Sequence, residues 1–303
     1  MSPSCEQPIR FTKEFTRQEP VPEAGIERAM EVMRSGRLHR YNTTAGEVSE
    51  AALLEEEFAA YVGARYCLGA ASCGSTIYIA LKSVGVKPGD KVLCNAFTLA
   101  PVPGAIENAG AVPVFVEIDE DYLTDLDDLA KKAASSGANY LLLSHMRGHI
   151  VDMDQVTEIC ERFGITLIED CAHTAGARWG DTFTGRFGKV GCFSCQTYKH
   201  MNSGEGGLLV TDDEDVIAKA ILYSGSYMLY ERHLSRPPLE VFERHKKRIP
   251  NFSLRMSNLV AALIRPQLVE LDTQCRRWNE RHDLLAAELA DISHIRIPRR
   301  PAK

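Results

Sequence analysis

The segment Cys192-Phe-Ser-Cys-Gln-Thr-Tyr-Lys-His-Met-Asn-Ser-Gly-Glu-Gly-Gly207 carries one lysine, Lys199, in a polar turn between two apolar runs, residues 190–194 and 208–210. Both runs read as strands, and glycines at 204, 206 and 207 mark the return of the chain. A lysine between two buried strands is uncommon, because its ammonium is rarely buried without a partner. A free lysine amine has a pKa near ~10.4, so roughly one in a few thousand is neutral at pH 7. Burial, a cationic neighbour or a Schiff base with a carbonyl changes that. Taken alone, these residues fit an exposed lysine in a hairpin loop equally well, so the surrounding chain decides.

Working outward, short apolar runs recur at 67–70, 91–94, 112–118, 140–144, 166–169, 190–194 and 207–211. Helical patterns lie between most of them, at 75–84, 103–108, 125–134 and 153–163. Several runs are apolar throughout, as expected of strands covered on both faces. The alternation predicts an α/β fold with a mostly parallel sheet of seven strands. The sixth and seventh runs are too close for a helical crossover, which predicts an antiparallel pair. Helices are expected at 23–33 and 48–61 ahead of the sheet, and at 216–223 after it. Residues 224–249 form a long excursion whose basic run, 244–248, reads as a solvated face. From 254 to 289 the chain is helical, with a kink or break at Pro266, and residues 295–297 look like the start of a strand. Residues 1–19 are polar and expected to be irregular.

The chain has 303 residues and a net charge of −6, which argues against general nucleic-acid binding. No apolar run approaches the ~20 residues that span a bilayer, and no apolar signal core opens the chain, so the cytoplasm is the expected location. Nine cysteines at irregular spacing, several in strand-like runs, suggest reduced core residues rather than a disulfide framework. Cys192 and Cys195 point to opposite faces of a strand, a poor arrangement for a metal or a disulfide, and no metal site is expected.

Two further stretches belong with Lys199. Ser72-Cys-Gly-Ser-Thr76 follows the first strand and opens a helix, where free backbone N–H groups and the helix dipole favour a phosphate. Gly74 lets the phosphate approach and Ser75 can add a hydroxyl; the alternative is an ordinary N-cap at Ser75. Thr166-Leu-Ile-Glu-Asp-Cys-Ala-His173 ends a buried strand on an acid pair, where α/β sheets place ligand contacts. Asp170 could hold a protonated ring nitrogen, or simply cap a helix. With Ser194 and Lys199 from the central turn, these stretches supply a phosphate cradle, a carboxylate for a ring nitrogen and a Schiff-base lysine. Pyridoxal phosphate requires that set. No G-x-G-x-x-G follows the first strand, which excludes a dinucleotide-binding reading.

These stretches, with Asn95-Ala-Phe-Thr98, Gly110–Asp119, His145-Met-Arg-Gly148, Asp152-Met-Asp154, Arg255-Met256 and Gln267-Leu268, resemble the DegT/DnrJ/StrS family of pyridoxal-phosphate-dependent sugar aminotransferases over roughly residues 25–290. The resemblance implies a three-layer large domain like that of aspartate aminotransferase over residues 1–240, with an N-terminal helical arm. It implies linker helices and the start of an incomplete small C-terminal domain over 250–303. Lys199 would form the Schiff base and act as base, Asp170 would bind the pyridine nitrogen, and Gly74, Ser75 and Ser194 would hold the phosphate. His173 stands where the family usually has glutamine beside the ring, and Ala175 where a histidine is common. The aromatic that stacks on the ring falls at Leu99, with Phe97 close enough to replace it. The asparagine that reaches the phosphate across a dimer falls at Ser253, with Asn251 close by. The implied reaction moves an amino group from glutamate or glutamine to a keto-sugar, nucleotide-linked, in a homodimer with the site at its interface. Two other roles stay open: a sugar dehydratase of the same family, which typically carries histidine in place of the lysine, and a non-catalytic, regulatory cofactor-binding protein.

Overall fold

The computed structural model describes residues 10, 12–14, 16–44, 46–301 and 303. The expected irregular N-terminus lies partly outside them, and so does Cys5. Two helices, α1 (Glu23–Ser35) and α2 (Glu50–Val62), precede the sheet. The alternating part follows as β1 (Tyr66–Ala70), α3 (Cys73–Val84), β2 (Lys91–Asn95), α4 (Pro101–Asn108), β3 (Val112–Val116), α5 (Leu126–Ser135), β4 (Tyr140–Ser144), α6 (Met153–Phe163) and β5 (Thr166–Asp170). A two-residue hairpin, β6 (Arg178–Trp179) and β7 (Thr182–Phe183), precedes β8 (Val190–Ser194) and β9 (Gly207–Thr211). Helices α7 (Glu214–Ser224), α8 (Leu239–Glu243), α9 (Asn258–Val269) and α10 (Leu271–Leu289) complete the order.

The seven-stranded sheet runs β1-β9-β8-β5-β4-β2-β3. Strand β9 is antiparallel to both its neighbours, and the other six strands share one direction. The α/β reading and the antiparallel sixth and seventh runs are therefore seen as expected. Alternating side chains feed two faces. Cys192 and Leu209 pack under α3, α4 and α7, while Phe193, Leu208 and Val210 pack under α2 and α9. Helices α5 and α6 cover the far half of that second face. Cys192 and Cys195 do enter opposite cores. All eight described cysteines are free thiols. No helix among the described residues is long and apolar enough to cross a membrane.

A buried ion network ties the sheet's first strand to distant loops. Glu55 takes both Nη atoms of Arg40 at 2.7 and 2.8 Å, His233 at 3.0 Å and the backbone N–H of Gly69 at 2.8 Å. Burial works against its charge, but Arg40 and His233 outweigh it and hold the carboxyl down at about 2. His233 belongs to the 224–249 excursion, so this network anchors that loop. The basic run there pairs on the surface, Arg244 and His245 with Asp215 and Lys246 with Glu243, as a solvated face would.

Three local expectations are corrected, and one element is new. Helix α3 starts at Cys73 with Ser72 as its cap, not Ser75: the Ser72 hydroxyl accepts the N–H of Ser75 at 3.1 Å. Pro266 lies inside α9, so the helix does not break there; the break comes at Glu270. Residues 295–297 form no strand; they are irregular, and Arg296 pairs with Asp121 at 2.7 Å. The β6–β7 hairpin was not expected, because two-residue strands carry no readable period.

Gly207 begins β9 against the start of α3. A Cβ there would stand 2.5 Å from the Ser72 carbonyl carbon and oxygen and 2.6 Å from the Cys73 nitrogen. Backbone cannot yield as a flexible side chain does, so Gly207→Ala is expected to lower stability by about 1–3 kcal/mol. Urea unfolding measures this as a lower midpoint, and an unchanged midpoint would contradict this packing.

Candidate active site

Sheet register brings the predicted residues to one end of the sheet. Ser144 at the end of β4 lies opposite Asp170 at the end of β5, and Asp170 lies opposite Cys192 in β8. Ser194 ends β8 opposite Gly207, which also pairs with Ala70, just before the cap of α3. Five chain segments thus converge where parallel strands deliver their carboxyl ends, the usual ligand position in open α/β sheets.

A cavity of about 750 Å³ opens there, lined by Gly74, Leu99, Asp170, His173, Ser194 and Lys199 among others. Ser75 and Ser253 do not line it. The Ser75 hydroxyl is engaged with that of Ser72 at 2.9 Å. Ser253 has φ +56° and donates its N–H and hydroxyl to Asn251 Oδ1 at 2.8 and 3.3 Å. Phe97 does not replace the missing aromatic: its ring packs on Tyr122 and His149, with centroids 5.0 and 6.1 Å away. Leu99, 44% exposed, holds that wall of the cavity.

Asp170 caps no helix; turns follow it. Its buried carboxylate accepts the Ser144 hydroxyl at 2.7 Å and the Ala172 N–H at 3.1 Å, with the Cys73 thiol 3.8 Å away. Burial pushes its pKa up, and these hydrogen bonds with His145 and Lys199 pull against that. Among the described residues no cation touches the carboxylate, so its surroundings suit an incoming positive group. Gly74 is the second residue of α3, and a Cβ there would meet only Ser72 Oγ at 3.8 Å and Pro101 Cβ at 4.0 Å. First-turn amides of a helix have no carbonyl ahead of them, so this end offers donors to an anion.

Lys199 sits in a turn closed by its own N–H on Gln196 O at 2.8 Å. Its Nζ donates to His173 Nε2 at 2.5 Å. Burial lowers the Lys199 pKa and Arg147 adds to that, while Asp170 and Cys73 oppose. Burial first, then Lys199, Arg147 and His200, pushes His173 down to about 4. The imidazole is therefore neutral at pH 7 and serves as the acceptor. The hairpin-loop alternative is half right: the lysine is in the loop, but its amine faces a cavity shared with Asp170 and the start of α3.

Sequence reasoning missed what holds this end of β5 in place. Glu169, fully buried, accepts the N–H groups of Gly185, Phe187 and Gly188, each at 2.8 Å, and lies 3.1 Å from His145 Nε2. Adjacent strand residues face opposite ways, so the Glu169-Asp170 pair could have signalled two sites, one on each face. His145, Glu169 and Cys171 have ligand-type atoms within 4.8 Å. Yet backbone amides occupy the Glu169 oxygens, and burial pushes the Cys171 thiol far up, so the cluster is structural. Glu169→Ala would leave one buried and two partly buried N–H groups without their acceptor, at about 1–3 kcal/mol each. Chemical denaturation is expected to show a loss of at least about 3 kcal/mol; a change within about 0.5 kcal/mol, the size of an ordinary surface substitution, would contradict this role.

Comparison with known proteins gives the family. A family model described as the DegT/DnrJ/EryC1/StrS aminotransferase family matches residues 22–303. The spore coat polysaccharide biosynthesis protein SpsC of Bacillus subtilis is 32% identical over 230 residues, 75% of this chain and 58% of its own. The L-glutamine:2-deoxy-scyllo-inosose aminotransferase of Streptomyces kanamyceticus is 32% identical over 267 residues, 87% of this chain and 61% of its own. The crystal structure of 3-amino-5-hydroxybenzoic acid synthase matches with a TM-score of 0.79 at 30% identity, covering 92% of this chain and 70% of that one. The chain spans somewhat more than half the length of those curated relatives. With the family matched over nearly its whole length, this chain belongs to the DegT/DnrJ/EryC1/StrS aminotransferase family.

Proposed function

We propose that this protein is a pyridoxal-phosphate-dependent aminotransferase that moves an amino group from glutamate or glutamine to a keto-sugar, nucleotide-linked. The observation that carries the reading is the meeting of Lys199, Asp170 and the open start of α3 on one cavity. When bound, pyridoxal phosphate supplies an aldehyde that condenses with amines and a ring that draws electrons from the bond beside the nitrogen.

The chain's own groups divide the remaining work. The first-turn amides at Gly74 and the Ser194 hydroxyl bind the phosphate; Ser75, engaged with Ser72, supports the cap instead. Asp170 binds the pyridine nitrogen and keeps its proton in place, with Ser144 and Ala172 fixing the carboxylate. Lys199 holds the cofactor through Nζ and, as a free amine, takes and returns a proton at the donor's α-carbon. Its lowered pKa suits a base, because more of it is neutral near pH 7. His173 orients that amine by accepting its hydrogen bond.

A homodimer with the site at the interface is part of the same proposal. Asn251 and Ser253 lie outside the cavity of their own chain, in a segment whose neighbours Tyr227 and Met228 are 58% and 53% exposed. A second copy brings these residues to the phosphate. Lysine at 199 and not histidine favours amino transfer over the dehydratase role.

Losing one partner of a buried ion pair costs about 3–5 kcal/mol. Asp170→Asn is therefore expected to weaken cofactor binding by at least ~100-fold, measured by titrating the visible absorption of the bound cofactor. Incubation of the loaded wild type with glutamate and a panel of keto-sugars is expected to yield 2-oxoglutarate and amino-sugar. A bound cofactor that glutamate never alters would favour the non-catalytic role.

A further inference from the structure

A second cavity, of about 630 Å³, adjoins the first and shares Arg147 and His173 with it. Arg147, Arg178 and Arg300 line it from three separate stretches of chain, His149 and His200 line it too, and no aspartate or glutamate does. A neighbouring hollow, beyond residues 299–301, is lined by aspartates. There the basic residues find partners: Arg299 with Asp121 at 3.4 Å and Lys303 with Asp154 at 2.8 Å. Arg147, Arg178 and Arg300 pair with no carboxylate among the described residues. Arg178 only stacks on Phe183, 3.7 Å from the ring centre, and reaches the Asp181 carbonyl at 3.3 Å.

A single exposed arginine needs no counter-ion, and a solvated basic wall is the plain alternative. Two features separate this cavity from such a wall. The backbone of Arg147 is left-handed, φ +56° and ψ +19°, a conformation that disfavours a side-chain-bearing residue by roughly 1–2 kcal/mol. Strain of this kind persists where the surroundings enforce a functional placement, and this residue stands at the junction of both cavities. His149 and His200 each keep a buried Nδ1 without any partner. Burial lowers both imidazoles, helped by Arg300 and opposed by Asp121 and Asp119 at His149, and helped by Lys199 at His200, which falls to about 4. The cavity lining thus gathers positive charge, while the acids that act on it, Asp119 and Asp121, lie outside the lining.

We infer that this second cavity seats an anionic group, carboxylate or phosphate, which the substrate carries a few bonds from the carbon that reacts at Lys199, with Arg147 and Arg300 as its main contacts. Guanidinium forks match the oxygens of both anions. His173 borders both cavities, so the anion would sit beside the group that orients the lysine amine. That the anion belongs to a substrate rests on the proposed function; that the cavity binds an anion does not.

The test uses the full chain saturated with pyridoxal phosphate, so that the phosphate cradle of the first cavity is filled. Pyrophosphate and glutarate are titrated in separate arms while tryptophan fluorescence is followed, because Trp278 lines the second cavity and stacks edge-on to His200 at 4.8 Å. We expect a saturable change with at least one anion, and the tighter arm names the chemistry. Arg147→Gln and Arg300→Gln should each weaken it at least tenfold, Arg147→Lys should fall between, and Arg244→Gln, on the distant basic run, should not move it. Arg300 lies in an exposed irregular segment, so its variant tests binding rather than folding. No saturable change with either anion, or an affinity unchanged in Arg300→Gln, would overturn the inference. If the protein takes up no pyridoxal phosphate, the functional reading fails, and the same titration and variants on the bare protein still decide the anion site.

Discussion

A carboxylate buried without a cation organises this molecule. Asp170 is held at the end of β5 by the Ser144 hydroxyl and the Ala172 N–H, and among the described residues nothing positive touches it. Burial makes its charge costly, and Ser144, the Ala172 N–H, His145 and Lys199 temper that cost. Its neighbour Glu169 faces the other way and is saturated by backbone amides. One acid therefore anchors the scaffold while the next is left in need of a partner. That difference, between adjacent residues of one strand, is what turns the end of a sheet into a binding site.

The topology supplies the rest. With β5 between β4 and β8, the residues after three parallel strands meet, and the reversed β9 lets the Lys199 turn close over the same end. Gly207 makes that closure possible, since only a missing Cβ allows β9 to touch the start of α3. The consequence is chemical: the amine, the acid and the helix start share one cavity although Lys199 lies over a hundred residues beyond Gly74 in sequence.

Much of this was legible beforehand. Strands covered on both faces are apolar throughout, so β4, β8 and β9 were read to the residue. Helix α6 was equally clear, its apolar stripe set between Asp152 and Gly164. What failed were choices between near-equivalent residues. Ser72 and Ser75 are both capping types, and only the path of the chain selects the first. Phe97 and Leu99 stand two residues apart, and packing on Tyr122 removes the aromatic one from the cavity. Residues 295–297 alternate like a strand, but three residues carry too little pattern to say where they pack, and Arg296 is drawn to Asp121 instead. The arginine-lined cavity was out of reach altogether, because Arg147, Arg178 and Arg300 converge only in the folded chain.

The central claim is that Lys199, of all the lysines, meets the cofactor. Pyridoxal phosphate is added to the purified protein, the imine is fixed with borohydride, and peptides are mapped by mass spectrometry. The account predicts one dominant adduct, on Lys199, which Asp170→Asn reduces sharply. Adducts spread over the surface lysines, with Lys199 unlabelled, would contradict it.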